Sequence, residues 1–303
     1  MQELDRRIML GAVGVAGVAA LTRLAKAGPL DPPAGPVAPT GHTTDELYDR
    51  IARTERGVAE PRIPVGSLAA APPYAITAPG SYYLTSDISI INGQTAITIA
   101  SANVTLDLRG FSVRAPNNSN GALALDVSAA ANNLVIRNGT FANTRILVAG
   151  QLAMDACVIA GASGSSQVAL ISNGTLTLVR SLVSGISASA ASILVAAGCG
   201  LVAEMCTFRG VATGVDVSSG ARAIVRNCEF DGAGSFGTRF QGGSTGAVMD
   251  SVFTNCTTGC LNQSGAPVKF LRNVAFSNTQ NYSGVSNVST DPATAPPWAN
   301  LSL

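Results

Sequence analysis

Ala223-Ile224-Val225-Arg226-Asn227-Cys228-Glu229-Phe230-Asp231-Gly232 is one unit of a pattern that returns along most of this chain. Ala223 and Val225 share one face of an extended segment, and Cys228 and Phe230 share one face of the next, since side chains alternate along a strand. Between Val225 and Cys228 the alternation slips by one residue, so a tight corner must sit at Arg226-Asn227. Asn enters the left-handed backbone region more cheaply than most residues, and Gly more cheaply still. Asn227 therefore suits the first corner and Gly232 a second.

Working outward from Phe230, the same inward position holds Val113, Phe141, Ile159, Val183, Phe208, Phe253 and Phe276. After intervals of 28 and 18 residues the spacing settles at 24, 25, 22, 23 and 23. Two residues before each stand Phe111, Gly139, Cys157, Ser181, Cys206, Cys228, Ser251 and Val274, and the left-handed position carries Asn138, Asn227 and Asn273. The second corner reads Asn143, Gly161, Gly185, Gly210, Gly232, Asn255 and Asn278. A further ladder, Gly150, Gly174, Gly198, Gly220, Gly243 and Gly265, closes each unit after a third short strand, as at 193–195, 215–217, 238–240 and 260–262. Three strands per coil of about 23 residues, with few helix formers, predict an all-β parallel β-helix whose successive coils lie about 4.8 Å apart.

These units resemble the right-handed parallel β-helix repeats of the pectate-lyase-like superfamily. Pro79-Gly80-Ser81-Tyr82-Tyr83-Leu84-Thr85, followed by Val104-Thr105-Leu106-Asp107-Leu108-Arg109-Gly110-Phe111, is similar to the opening coils of its exported bacterial members. The likeness spans roughly 75–286. It implies a right-handed, single-stranded solenoid and a substrate groove on the outer face of the third strand. It implies no single activity, because the fold serves lyases, glycosidases, epimerases, adhesins and tailspikes.

Outside the repeats, residues 1–27 read as an export signal. Arg6-Arg7 precede an apolar run at 8–21, and Ala25-Lys26-Ala27 is a small-x-small cleavage site. Asp5-Arg6-Arg7-Ile8-Met9-Leu10 resembles the twin-arginine motif, which implies folding before translocation. The run of 14 residues is short for a membrane span, which needs about 20, so the membrane enters only through this segment. Residues 28–74 form a Pro/Gly-rich linker with a short helix near 44–54, opened by the capping box of Thr43 and Glu46 and expected to plug the solenoid's open end. Residues 287–303 are expected to cover the far end. The expected location is the periplasm, cell surface or exterior.

Only 12% of residues are charged, against about 25% in average proteins, and the net charge is +1. Nothing here suits a nucleic-acid partner. The six cysteines are Cys157, Cys199, Cys206, Cys228, Cys256 and Cys260. Three of them share one inward position and are expected to be buried thiols, while Cys256 and Cys260 are close enough in sequence to pair.

Chemistry is sparse. The outward row of the third strand reads Leu170, Leu194, Asp216, Arg239 and Leu261, with Asp126 an equivalent in an earlier coil. Calcium takes six to eight oxygen ligands, and a glycoside hydrolase needs paired carboxylates. Asp216 and Arg239 fall at one position in adjacent coils and are expected to form an ion pair. Arg137–Asp155, Glu204–Arg226 and Arg209–Asp231 follow the same rule, leaving Glu229 and Asp250 alone. The sole histidine, His42, precedes the repeats, which excludes His-dependent chemistry within the coils. No cofactor is expected, and calcium only if the chain is a lyase. Another row, Asp107, Val135, Ala153, Thr177, Val202, Ile224, Ala247 and Phe270, is unusually apolar for an outer face and suggests cover by the linker, a partner or a second copy. The sequence thus favours a non-catalytic saccharide-binding, adhesive or envelope-associated solenoid. The alternative is a polysaccharide lyase or glycoside hydrolase with an atypical site at Asp216, Arg239 and Asp126.

Overall fold

The computed structural model describes residues 62–91, 93–116, 121–161, 166–185 and 191–303. The expected leader, the helix near 44–54 and residues 117–120 lie outside the described residues. Within the unit Glu60–Leu303 the chain is a parallel β-solenoid of ten turns, built on two sheets. One sheet has ten strands, one per turn, from Tyr74–Ile76 to Gln280–Ser283. The other has nineteen and is folded along its length, so that each coil contributes two arms such as Arg222–Arg226 and Glu229–Asp231. Strands pair in parallel with the equivalent strand one coil away, for example Ala203↔Val225 and Phe208↔Phe230.

The fold between the two arms is a left-handed residue. Asn138, Ala156, Arg180, Met205, Asn227, Asp250 and Arg272 all have φ between 47° and 58°. Only two of these are Asn, although a left-handed L-residue costs about 1–2 kcal/mol. Hydrogen bonds between coils hold the conformation. The amides of Arg180, Met205, Asn227 and Asp250 donate to carbonyls of Glu204, Arg226, Met249 and Leu271 in the following coil. Just past this corner an inward polar ladder serves the next amide. Cys157 N–H donates to Ser181 Oγ, Cys228 N–H to Ser251 Oγ, Ser251 N–H to Asn273 Oδ1 and Asn273 N–H to Asn300 Oδ1. The small polar residues two before each core residue are therefore there to satisfy buried backbone, which is costly to leave unpaired.

Phe208, Phe230 and Phe253 stack with centroids 4.6 and 4.8 Å apart and nearly parallel rings, the spacing of the coils themselves. Room for the rings comes from glycines on the opposing ten-stranded sheet. A Cβ on Gly214 would lie 2.6 Å from the Phe230 ring, and one on Gly237 2.5 Å from the Phe253 ring. All six cysteines are free thiols and buried, Cys256 and Cys260 included.

Several alignments shift. In the last coil Ala275, not Phe276, faces Phe253, and Phe276 is 40% exposed. Phe270 accordingly turns inward, Asn273 joins the inner ladder in place of Val274, and Arg272 takes the left-handed corner. Ser277, not Asn278, is left-handed at the second corner, and Asn278 instead accepts the Cys256 amide. In an early coil Asp107 pairs in register with Arg137, because residues 108–111 add length to that corner. The outer row therefore runs Thr105, Val135, Ala153, Thr177, Val202, Ile224, Ala247, Lys269, with polar ends. Of the closing glycines, Gly198, Gly220, Gly243 and Gly265 are left-handed. Gly150 and Gly174 instead admit a backbone carbonyl where a Cβ would come within 2.2 Å. The chain's tail returns as the strand Asn300–Ser302, paired with Val274–Phe276.

Candidate functional site

The outer face of the ten-stranded sheet carries the row Thr98, Asp126, Leu147, Ala169, Leu194, Asp216, Arg239, Leu261, Ser283. Ala169 stands in it where Leu170 was expected. Leu170 pairs with Val195 and points into the core, because the corner at Ser172-Asn173 holds two left-handed residues ahead of Gly174.

Asp216, in the strand Thr213–Val217, is 5% exposed. Arg239, one coil on, donates from Nε at 2.9 Å and from Nη2 at 2.5 Å to its two carboxylate oxygens. Gln241 Nε2 adds a third donor at 2.8 Å. The guanidinium also lies 5.2 Å from the centre of the Phe236 ring. The hydrogen bond to Asp216 raises the Arg239 pKa further above its ordinary value. A carboxylate held by a bidentate arginine and an amide has little lone-pair capacity left for a substrate proton or a cation.

Asp126 is separated from Asp216 by four register steps, through Leu147, Ala169 and Leu194. At about 4.8 Å per coil that is roughly 19 Å, well outside the 5–9.5 Å over which paired carboxylates work on one glycosidic bond. The sequence-predicted residues thus form one tight pair and one distant acid. Among the described residues no group of three or more His, Cys, Asp or Glu is gathered as a metal site.

Most other acids are neutralised along the folded corner of the larger sheet. Glu204–Arg226 and Arg209–Asp231 pair as the spacing predicts, at 2.6 and 3.3 Å. Asp155 is bound by Arg180. Arg137 turns the other way, to Asp107 at 3.3 Å. Asp250 is not alone, because Arg272 reaches it at 2.6 Å. Arg180 and Arg272 were missed because they occupy the left-handed corner, where a turn residue was expected.

Asp107 is the most heavily tied acid. Arg62 Nη1 reaches it at 3.2 Å, the Arg109 amide at 3.0 Å and Asn138 Nδ2 at 3.3 Å. The Arg109 guanidinium lies 4.1 Å from the centre of the Tyr83 ring. Burial pushes the Asp107 carboxyl up, but the Arg109 amide, Asn138, Arg137 and Arg62 together hold it below the ordinary value. This knot fastens the incoming strand Ile63–Pro64 to the early coils.

Among the described residues, two of the shallow depressions lie on outer faces of the coils. One, of about 290 Å³, lies on the apolar row beside Thr177, Val202, Arg222 and Ile224. The other, of about 450 Å³, lies at the folded corner and is lined by Met205, Cys206, Thr207, Asn227, Cys228, Glu229, Asp250 and Val252.

No curated protein matches the sequence. Among solved structures, the catalytic domain of a GH87 alpha-1,3-glucanase in complex with nigerose is similar at 12% identity and a TM-score of 0.31, over 90% of this chain and 70% of that one. A variant of that domain in complex with tetrasaccharides gives 12% identity and a TM-score of 0.34 over the same shares, 90% and 70%. Residues 146–294 match the family described as the right handed beta helix region. In-register parallel pairing continues on both sides of that segment, so the described residues form a right-handed parallel β-helix.

Proposed function

We propose that this protein is an exported β-helix whose solenoid offers a non-catalytic binding surface to a polysaccharide or another cell-envelope component. The observation that carries the reading is Asp216. It is the only acid of the groove row in the later coils, and Arg239 and Gln241 already occupy both its oxygens. An acid tied in this way fixes the register of two coils and is poorly placed to transfer protons. The shallow relief of the outer faces supports binding along an extended surface more than closure around one sugar ring.

The test uses the purified protein against uronate-containing and neutral polysaccharides, with and without calcium. Retention on at least one immobilised polysaccharide, with no new reducing ends or unsaturated uronates, is the expected result. Product release that disappears in Asp216→Asn and Arg239→Ala would replace this reading with a lyase or hydrolase. Export rests on Arg6-Arg7 and the Ala25-Lys26-Ala27 site. Replacing both arginines by lysine is expected to leave the chain in the cytosolic fraction, and unchanged fractionation would remove the twin-arginine route.

A further inference from the structure

Cys206 and Cys228 occupy the same corner position in successive coils. Glu204 pairs with Arg226 on one side of them and Thr207 with Glu229 on the other, so the two cysteines stand directly opposite. Parallel coils hold such residues about 4.8 Å apart, inside the 4.4–6.8 Å Cα separation of disulfides. Each thiol also donates to the carbonyl two residues before it, Cys206 to Glu204 at 3.2 Å and Cys228 to Arg226 at 3.2 Å, so both side chains have the same orientation. Both residues form the floor of the 450 Å³ depression at the folded corner, although they are only 1% and 2% exposed. No other cysteines share this relation. Cys157 holds the same position, but Ser181 intervenes between it and Cys206, which sets them about 10 Å apart.

We propose that Cys206 and Cys228 are an oxidisable pair, which a hydroperoxide converts into a disulfide clamping two neighbouring coils. Either sulfur can attack, and where Cys206 does so the O–O bond of the peroxide breaks. The resulting sulfenic acid carries one oxygen, and the other leaves as water or an alcohol with the Cys206 proton. The Cys228 sulfur then attacks Cys206. The S–S bond forms, the S–O bond breaks, and a second water departs with the Cys228 proton. The two thiols lose two electrons and the peroxide gains them. The two sulfurs are chemically alike, and the step balances whichever of them attacks first.

The experiment treats the folded, reduced full-length protein with hydrogen peroxide, then counts thiols after denaturation and maps peptides without reduction. The expected result is a fall from six thiols to four, a mass lower by two hydrogens and one linked peptide pair containing Cys206 and Cys228. Cys206→Ser and Cys228→Ser are each expected to lose the bridge and to leave on the remaining cysteine of the pair a sulfenic acid that dimedone traps. Cys157→Ser is expected to form the bridge as the parent does. Serine fits these sites, since Ser181 and Ser251 already hold the equivalent position and accept the neighbouring amide. Six surviving thiols, a link through another pair such as Cys256 and Cys260, or a bridge that forms only in urea would each overturn the proposal.

Discussion

Asp216 and Arg239 show how differently two halves of one ion pair can behave. Asp216 is buried, whereas about a third of the Arg239 side chain still meets solvent. Removing the arginine strands a charged carboxylate with one neutral donor, Gln241, and breaking a buried pair in this way costs about 3–5 kcal/mol. Replacing the acid by Asn removes the charge but keeps an acceptor, and Arg239 can rehydrate through its exposed side, so a cost of about 1–3 kcal/mol is expected. Urea unfolding of Arg239→Ala and Asp216→Asn should therefore rank the first as the less stable. Equal or reversed midpoints would mean that Asp216 is not held as a buried anion. Spacing was enough to find this pair, since both residues lie four before a closing glycine. Spacing could not find Arg180 or Arg272. Both sit at the left-handed corner, where coil-to-coil hydrogen bonds let almost any side chain replace Asn, so identity there carries little signal.

At the scale of the coil, glycines do two different jobs, and only one of them was legible. Gly220 is left-handed, with nothing near an added Cβ, so alanine there costs only backbone strain of about 1–2 kcal/mol. Gly237 lies within the ten-stranded sheet, where an added Cβ would meet the Phe253 ring at 2.5 Å and the Gly259 carbonyl at 2.6 Å. Neither the stacked rings nor the next coil's backbone can yield without losing register, so Gly237→Ala should cost more than Gly220→Ala. Thermal midpoints of the two variants test this ordering, and a Gly237→Ala protein as stable as Gly220→Ala would show that the aromatic stack is loosely held. The corner glycines announce themselves by period, because turns recur once per coil. Gly214 and Gly237 recur too, but their reason lies partly in a phenylalanine of the opposite sheet, which a linear reading does not bring alongside. The slips in the first and last coils have a similar origin. Extra corner residues at 108–111 keep Val113 opposite Phe141 while shifting the residues ahead of the corner, so that Thr105 and not Asp107 faces Val135.

For the whole molecule, the charge pairs form a line along the folded corner, one per coil step or so, and act between coils more than within them. Asp155 is held below its ordinary pKa chiefly by the hydrogen bond from Arg180, Asp250 by that from Arg272 and Asp231 by that from Asn255. A carboxyl whose folded pKa is depressed contributes stability that is complete above its unfolded value, near 3.8, and is lost as pH falls through the folded one. No described residue is a histidine, and the pKa values of Cys157 and Cys260, the one pushed up to about 12 and the other higher still, keep those thiols neutral far above neutrality. The urea midpoint should therefore be flat between pH 5 and 8 and fall only below about pH 4. Because a solenoid's stability is close to a sum of coil and coil-to-coil terms, the acid loss should broaden the transition as well as lower it. Added salt at pH 7 should reproduce only a small part of the effect, since the pairs are close and exposed pairs are individually weak. A midpoint that drops between pH 7 and pH 5 would require a group titrating in that range, and the line of paired carboxylates would then not be what sets the acid limit of this fold.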